Sequence, residues 1–113
     1  MDKKAKAAEY QRQYRLKHPD RVRSTDLKKS FGITLEKYNE MLEEQNGVCM
    51  ICKNPETVID NRTKQPRNLA VDHCHTTKKV RGLLCMGCNQ GLGNFRDNPE
   101  FLANAISYLM KNN

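Results

Sequence analysis

Four of the five cysteines fall in two short motifs of identical spacing. Cys49 and Cys52 form one Cys-x-x-Cys pair, Cys85 and Cys88 form the other, and 32 residues separate the two pairs. A Cys-x-x-Cys turn directs both sulfurs towards one point, so two such pairs provide the thiolates of a closed tetrahedral zinc site. Because no position is left open for a substrate, the predicted site is structural. A redox pair and an iron–sulfur centre are the alternative interpretations.

A second group of polar residues lies between these motifs and directly after them. Asp72, His73 and His75 are nearly consecutive, and Asn89 follows the last cysteine of the second motif. An imidazole can deprotonate water, and carboxylate and amide oxygens are ligands that Mg²⁺ prefers. These residue types suit hydrolysis of a phosphodiester, with a cation at the leaving 3′ oxygen. The alternatives are a structural Asp–His pair and, for His75, a surface position or competition for the zinc.

Basic residues follow the histidines. Lys78, Lys79 and Arg81 lie within six residues of His75, where they could hold phosphates on either side of a scissile bond. The alternative for the two lysines is a solvated turn. We expect the fifth cysteine, Cys74, to be a small side chain at the end of a strand.

Positive charge is concentrated near the N-terminus. The chain has 113 residues and a formal charge of +7; residues 1–31 contain 10 Lys and Arg against 4 Asp and Glu, and the remainder contains 10 against 9. A helix rich in Lys and Arg is typical of nucleic-acid binding, because each phosphate it neutralises releases a counterion. The alternative is a solvated helix of mixed charge. The candidate DNA contacts in this arm are Lys3, Lys4, Arg12 and Arg15.

The elements that must position these residues are predicted to be short. Helix formers predict a helix over 3–17, and a second helix over 20–31 is expected to end at Gly32. A third helix is expected after the N-cap Thr34, with Asn46 and Gly47 as its stop signal.

The polar residues lie in a predicted hairpin. Apolar segments at 69–71 and 80–84 predict its two strands, and a short helix is expected after Cys85. Asn98 and Pro99 predict the start of a last helix. Its buried side is expected to comprise Phe101, Leu102, Ala105, Leu109 and Met110.

Size and composition limit the class of protein. With 37% hydrophobic residues and no Trp, 113 residues allow one small domain with a thin core that a bound metal helps to stabilise. The longest uncharged apolar run is of the size of residues 83–86, far below the roughly 20 residues that span a bilayer, so we expect no membrane association. An N-terminus without an apolar signal core predicts a protein that works inside a cell, in the cytoplasm.

The stretch from about Phe31 to Tyr108 resembles the phage recombination endonuclease VII family, within the His-Asn-His, or ββα-metal, superfamily of nucleases. The resemblance rests on FGITLEKYNEMLEEQNGVCMIC, LAVDHCHTTKKVRGLLCMGCNQGLG and DNPEFLANAISYL. It implies an α+β fold, with a small zinc-stabilised ββα-metal (HNH) domain over 32–113. A basic helical arm over 1–31 precedes this domain, and a C-terminal helix closes it.

By this resemblance the chain is a metal-dependent DNA endonuclease that nicks DNA or resolves branched DNA. His73 would be the general base and His75 would contact the phosphate. Asp72 and Asn89 would hold a catalytic Mg²⁺, for which Mn²⁺ substitutes. The structural zinc would be bound by Cys49, Cys52, Cys85 and Cys88.

The resemblance also carries one departure and leaves two questions open. Leu92 stands where some members of the family have a glutamate. If the protein is encoded by a phage, it is expected to act in the cytoplasm of the host cell.

The alternative function is a non-catalytic zinc-knuckle module that binds DNA. Monomer and homodimer are both compatible with the sequence.

Overall fold

Five helices and one two-stranded antiparallel sheet occur within residues 2–112, the part of the chain that the computed structural model describes. The elements are α1 Lys3–Lys17, α2 Pro19–Phe31, α3 Leu35–Glu44, β1 Ala70–His73, β2 Val80–Leu84, α4 Met86–Asn94 and α5 Pro99–Lys111. The chain divides between Met41 and Leu42 into two compact units. Among the described residues, no helix is long and apolar enough to cross a membrane. The mixture of helices with a small sheet confirms the α+β class.

The first two helices have the predicted ends. Asp2 caps α1, because its Oδ1 accepts a hydrogen bond of 2.7 Å from the Ala5 N–H. Pro19 is the first residue of α2, and Gly32 ends that helix with a left-handed φ of 70°. The helix α1 has no buried residue, whereas Leu27 of α2 is buried. The basic arm is therefore a solvent-facing helix followed by a partly buried one.

The third helix also begins and ends as predicted. Thr34 Oγ1 accepts a hydrogen bond of 3.0 Å from the Lys37 N–H, and left-handed Asn46 and Gly47 follow the last turn. Tyr38 of α3 is buried, with the Arg23 guanidinium 4.3 Å from its ring centroid. This cation–π contact joins α2 to α3.

The two strands pair in a hairpin that contains a bulge. Asp72 pairs with Gly82, whereas His73 pairs with Val80, so the register leaves Arg81 without a partner residue. A bulge re-aims the side chain of its extra residue, and it is common next to functional sites. The first strand continues two residues beyond the predicted segment 69–71, which places Asp72 and His73 within regular structure.

The apolar core of the second unit is small. Leu83 and Cys49 are fully buried, and the other buried apolar residues of this unit are Leu69, Val71 and Leu84. One zinc-knuckle cysteine is thus part of the core itself. A core of this size confirms the thin core that composition predicts.

Gln45, directly after α3, pairs with the outer edge of β2. Its Nε2 donates to the carbonyl oxygens of Leu83 and Val48, each at 2.9 Å, and its Oε1 accepts from the Leu83 N–H at 3.0 Å. The amide therefore satisfies both backbone groups of Leu83, as a neighbouring strand would. Gln45 is itself buried, so these contacts replace water rather than compete with it.

A long loop leads from the first cysteine pair to the hairpin and is tied to the start of α4. Buried Glu56 accepts a hydrogen bond of 2.6 Å from the Met86 N–H through Oε2, and its Oε1 accepts from the N–H groups of Thr57 and Val58. A carboxylate at a helix N-terminus also interacts favourably with the helix dipole. The helix α4 packs against both strands.

The last helix starts as predicted, but its packing differs from the prediction. Asn98 Oδ1 accepts hydrogen bonds from the N–H groups of Glu100 and Phe101, which confirms the N-cap. No residue of α5 is buried, however, and Leu109 and Met110 are among its most exposed side chains. Of the predicted buried side, Leu102 and Ala105 are half-buried, whereas Phe101, Leu109 and Met110 are exposed. Helical spacing identifies an apolar face but does not supply the element that covers it.

Candidate functional site

The four cysteines of the two Cys-x-x-Cys motifs meet at one point. All four Sγ atoms lie within 4.8 Å of one another, and Cys52 Sγ is 3.8 Å from Cys85 Sγ. Zinc–sulfur bonds of about 2.3 Å in a tetrahedron give sulfur–sulfur edges of about 3.8 Å. The donor set and its dimensions therefore fit a closed zinc site formed by Cys49, Cys52, Cys85 and Cys88.

The backbone around each cysteine pair supports thiolates. The Ile51 N–H points at Cys49 Sγ and the Cys88 N–H at Cys85 Sγ, each at 3.4 Å. Burial opposes ionisation of Cys49, but the N–H groups of Cys52, Cys85 and Ile51 outweigh it and lower the pKa of this thiol to about 6. Burial and the neighbouring sulfurs raise the pKa of Cys88 to about 12. A divalent cation supplies the charge that four adjacent thiolates need.

The predicted polar residues lie on the hairpin and on α4. Asp72 is buried in β1 and His73 is half-buried at the end of that strand, while His75 is exposed in the turn. The two rings lie close together although His75 is beyond the end of the strand: their centroids are 5.0 Å apart. Asn89 is half-buried in the first turn of α4. The hairpin and the helix packed on it thus carry all four residues in one unit.

The guanidinium of Arg81 forms a bidentate pair with the carboxylate of Asp72. Its Nε donates to Oδ2 at 2.7 Å and its Nη2 to Oδ1 at 2.9 Å. This bidentate pair joins the bulge residue of β2 to β1, and the hydrogen bonds to Asp72 raise the pKa of Arg81. Asp72 offers the hard oxygen donors that suit Mg²⁺, but a cation that bound there would share the carboxylate with Arg81.

Asp97 extends this pair into a network that the sequence did not indicate. It follows α4, and its Oδ2 lies 3.4 Å from Arg81 Nη2 and 3.5 Å from His75 Nε2. Arg96 and Asp97 both have left-handed φ values, of 58° and 53°. The Asp97 N–H donates to the Leu92 carbonyl at 2.8 Å, which fixes this turn at the end of the helix. The sequence did not predict a role for Asp97, because its contacts depend on the path of the chain after α4.

A cavity of about 340 Å³ opens beside Asp97. Its lining residues are Cys74, His75, Thr76, Arg81, Gly93, Arg96 and Asp97. The hydroxyl and the backbone N–H of Thr77 lower the pKa of the Cys74 thiol to about 7. The cavity therefore has two guanidinium groups, an imidazole and a readily ionised thiol in its wall.

The remaining predicted DNA contacts are on the surface. Lys78 and Lys79 are exposed in the turn of the hairpin, and Lys78 has a left-handed φ of 65°. Lys3, Lys4, Arg12 and Arg15 are exposed along α1. The guanidinium of Arg12 pairs with the Glu9 carboxylate, with a shortest nitrogen–oxygen distance of 2.8 Å. Arg15 Nη1 lies 4.0 Å from Asp26 Oδ2. The two arginines of α1 therefore already have acidic neighbours.

Comparisons with known proteins point to one family. Residues 24–111 match the family described as recombination endonuclease VII. The chain is 36% identical over 106 residues to the Gene 59 protein of Mycobacterium phage L5, covering 93% of this chain and 60% of that protein. It is also 36% identical over 107 residues to the Gene 59 protein of Mycobacterium phage D29, covering 94% and 61% respectively. The chain thus spans about three-fifths of the length of these relatives. The match over most of its residues shows that the chain belongs to the recombination endonuclease VII family.

Proposed function

We propose that this chain is a zinc-stabilised, metal-dependent DNA endonuclease of the HNH, or ββα-metal, type. The observation that carries the proposal is the grouping of Asp72, His73, His75 and Asn89 on one hairpin-and-helix unit, whose helix α4 also carries one of the four clustered cysteines, in a chain of this family. Its substrate is DNA, cut as a nick or at a branch. Acting on DNA in a phage-infected cell, the protein would work in the cytoplasm of the host.

Each residue of the polar group has a role in this reaction. His73 takes the proton from the attacking water, and His75, whose ring lies beside it, contacts the phosphate. Asp72 and Asn89 would hold a divalent cation, Mg²⁺ or Mn²⁺, which would supply stabilisation of the negative charge on the leaving 3′ oxygen. The chain itself contributes orientation, because the bulged hairpin and α4 fix these side chains in a small unit whose shape depends on the zinc centre.

Basic residues hold the DNA backbone on either side of this centre. Lys78 and Lys79 extend from the hairpin turn and contact phosphates, which positions the duplex without reading its sequence. Arg81, on the neighbouring strand β2, is a third candidate for a phosphate contact. The arm formed by residues 1–31 adds a sequence-independent attraction through Lys3, Lys4, Arg12 and Arg15, while residues 32–113 form the nuclease domain.

A non-catalytic zinc-knuckle module that binds DNA is the second candidate. Its support is the exposed basic arm, which would serve a binding protein equally well. Against it stands the polar group itself, because a pure binding module has no chemical use for a carboxylate, an imidazole and an amide carried by one hairpin-and-helix unit. The two candidates predict opposite results when the protein meets intact DNA and a divalent cation.

Incubation of the zinc-loaded protein with supercoiled plasmid tests the proposal. The expected result is nicked or linear DNA in Mg²⁺ or Mn²⁺ and uncut plasmid in EDTA at a concentration that leaves the zinc in place. A synthetic four-way junction and its matching linear duplex, tested side by side, distinguish branch cutting from nicking. Zinc-loaded protein that binds these DNAs but cuts none of them in either cation would replace the endonuclease with the binding module.

A further inference from the structure

The bulge in β2 places a positive charge on the proposed cation ligand. Arg81 covers both oxygens of Asp72, at 2.7 and 2.9 Å, and the side chain of Asp72 is only 11% exposed. A divalent cation at that carboxylate meets the guanidinium at close range, and like charges repel most strongly where water is scarce. Arg81 therefore opposes cation binding as long as it stays on Asp72.

A second carboxylate is available to the same guanidinium. Arg81 Nη2, which donates to Asp72, also lies 3.4 Å from Asp97 Oδ2. The left-handed turn at Arg96 and Asp97 holds this carboxylate in place, and such conformations persist where surrounding contacts enforce them. The same nitrogen, Arg81 Nη2, therefore already lies between the two carboxylates.

The cavity beside Asp97 provides the space for Arg81 to move between the two carboxylates. Arg81 and Asp97 both line its volume of about 340 Å³, so a guanidinium that leaves Asp72 stays within reach of Asp97 without entering the packed core. His75 also lines the cavity, with its Nε2 3.5 Å from Asp97 Oδ2. The transfer would bring Arg81 towards the imidazole that the proposed function places at the phosphate.

We propose that Arg81 competes with the divalent cation for Asp72, and that Asp97 is a positioning residue that receives Arg81 when the cation binds. The inference rests on the proposed role of Asp72 as a cation ligand. Two opposite consequences follow: loss of the charge on Arg81 tightens cation binding, and loss of the charge on Asp97 weakens it. Asp97 acts on the cation through Arg81, so its effect depends on the presence of Arg81.

Mn²⁺ binding to the zinc-loaded chain without DNA tests this inference, because the electron paramagnetic resonance signal of free Mn²⁺ reports affinity directly. We expect Arg81→Gln to bind Mn²⁺ about tenfold more tightly than the parent, and Asp97→Asn to bind it about tenfold more weakly. In the double variant, Asp97→Asn should change the affinity less than about threefold, because its partner is gone. Arg62→Gln, at an exposed arginine beside Asp60, is the matched control and should leave the affinity unchanged.

Folding is checked by zinc content and circular dichroism. Arg81→Gln leaves the carboxylate of Asp72 without its partner, so Arg81→Lys provides a second variant. It keeps the charge but loses the bidentate fork, and it should bind Mn²⁺ with an affinity between those of the parent and Arg81→Gln. If Arg81→Gln is poorly folded, Mn²⁺ should raise its melting temperature more than that of the parent.

Three results would overturn the inference. Arg81→Gln that binds Mn²⁺ no more tightly than the parent would remove Arg81 as a competitor. Equal losses from Asp97→Asn with and without Arg81 would show that Asp97 acts by its charge alone. Mn²⁺ binding to Asp72→Asn distinguishes failure of this inference from failure of the proposed function. If Asp72→Asn still binds Mn²⁺, the cation binds elsewhere, and the inference and the proposed role of Asp72 are both overturned.

Discussion

At the scale of single residues, buried polar side chains connect neighbouring segments of the chain through hydrogen bonds. Gln45, Glu56 and Asp72 are the polar or charged residues that are buried within 2–112. Gln45 joins the end of α3 to β2, Glu56 joins the long loop to α4, and Asp72 joins the two strands through Arg81. Because the core is small, each of these contacts restricts the movement of the segments that carry the cysteines and histidines.

Gln45→Ala should lower the free energy of unfolding by about 1–3 kcal/mol, because it removes the side-chain hydrogen bonds to the N–H and C=O of buried Leu83 and leaves that C=O with the Met50 N–H alone. Urea denaturation of the zinc-loaded chain measures this change. Gln65→Ala, in the exposed loop, is the control and should change stability by less than about 0.5 kcal/mol. Equal stability of the two variants would mean that the edge of β2 does not depend on Gln45.

At the scale of elements, the ends of the helices were more predictable than their packing. Caps and stop signals are local, so Thr34, Asn98 and Gly32 identified helix boundaries from the sequence, and the structure confirms all three. The exposed face of α5 and the contacts of Asp97 depend on how segments distant in sequence meet. The spacing of apolar residues within one segment does not predict which other segment it meets.

The acid behaviour of α1 should depend on Glu9. Hydrogen bonds from Arg12 and then Gln13 lower the pKa of Glu9 from 4.5 to about 2. A lowered pKa stabilises the helix above pH 4.5, and this contribution is lost as the pH falls through about 2. The ¹³Cα shifts of residues 6–14 should lose helical character over that range by a larger amount in the parent than in Glu9→Gln. Identical titrations of the two proteins would contradict the assignment.

Deletion of residues 1–18 should weaken DNA binding and reduce its salt dependence, because it removes the exposed cations of α1. Fluorescence anisotropy with a labelled duplex in EDTA, at several salt concentrations, gives the slope of log affinity against log salt. Zinc content should remain that of the parent, since the four cysteines lie beyond the deletion. An unchanged slope would show that the arm does not contact DNA.

At the scale of the whole molecule, the cluster of four cysteines, whose dimensions fit zinc, joins distant parts of the second unit. Its two cysteine pairs flank the long loop and the hairpin, and Cys49 belongs to the apolar core. The sequence predicted this centre because the ligand spacing is specific to tetrahedral thiolate sites. It also placed Asp72, His73, His75 and Asn89 around the hairpin, but it could not reveal the Arg81 bulge, which depends on pairing between strands.

Cys88→Ser should lose zinc and the dispersed amide spectrum of residues 42–112, because metal binding supplies much of the folding free energy of so small a core. Cys74→Ser is the control of the same residue type and should keep one zinc per chain with a parent-like spectrum, since Cys74 lies outside the cluster. Elemental analysis and a ¹H–¹⁵N spectrum measure both properties. Stoichiometric zinc in Cys88→Ser, or its loss from Cys74→Ser, would contradict the assigned ligands.

The single-turnover rate of plasmid cleavage by zinc-loaded His73→Ala, at saturating protein and in Mg²⁺, tests the central claim most directly. We expect a rate at least about 100-fold below that of the parent, with zinc content and DNA affinity preserved, because a general base contributes to the chemical step rather than to binding. His18→Ala, which alters the histidine at the end of α1, should cut at the parent rate. Cleavage by His73→Ala within about threefold of the parent would remove His73 from catalysis and contradict the account of the site.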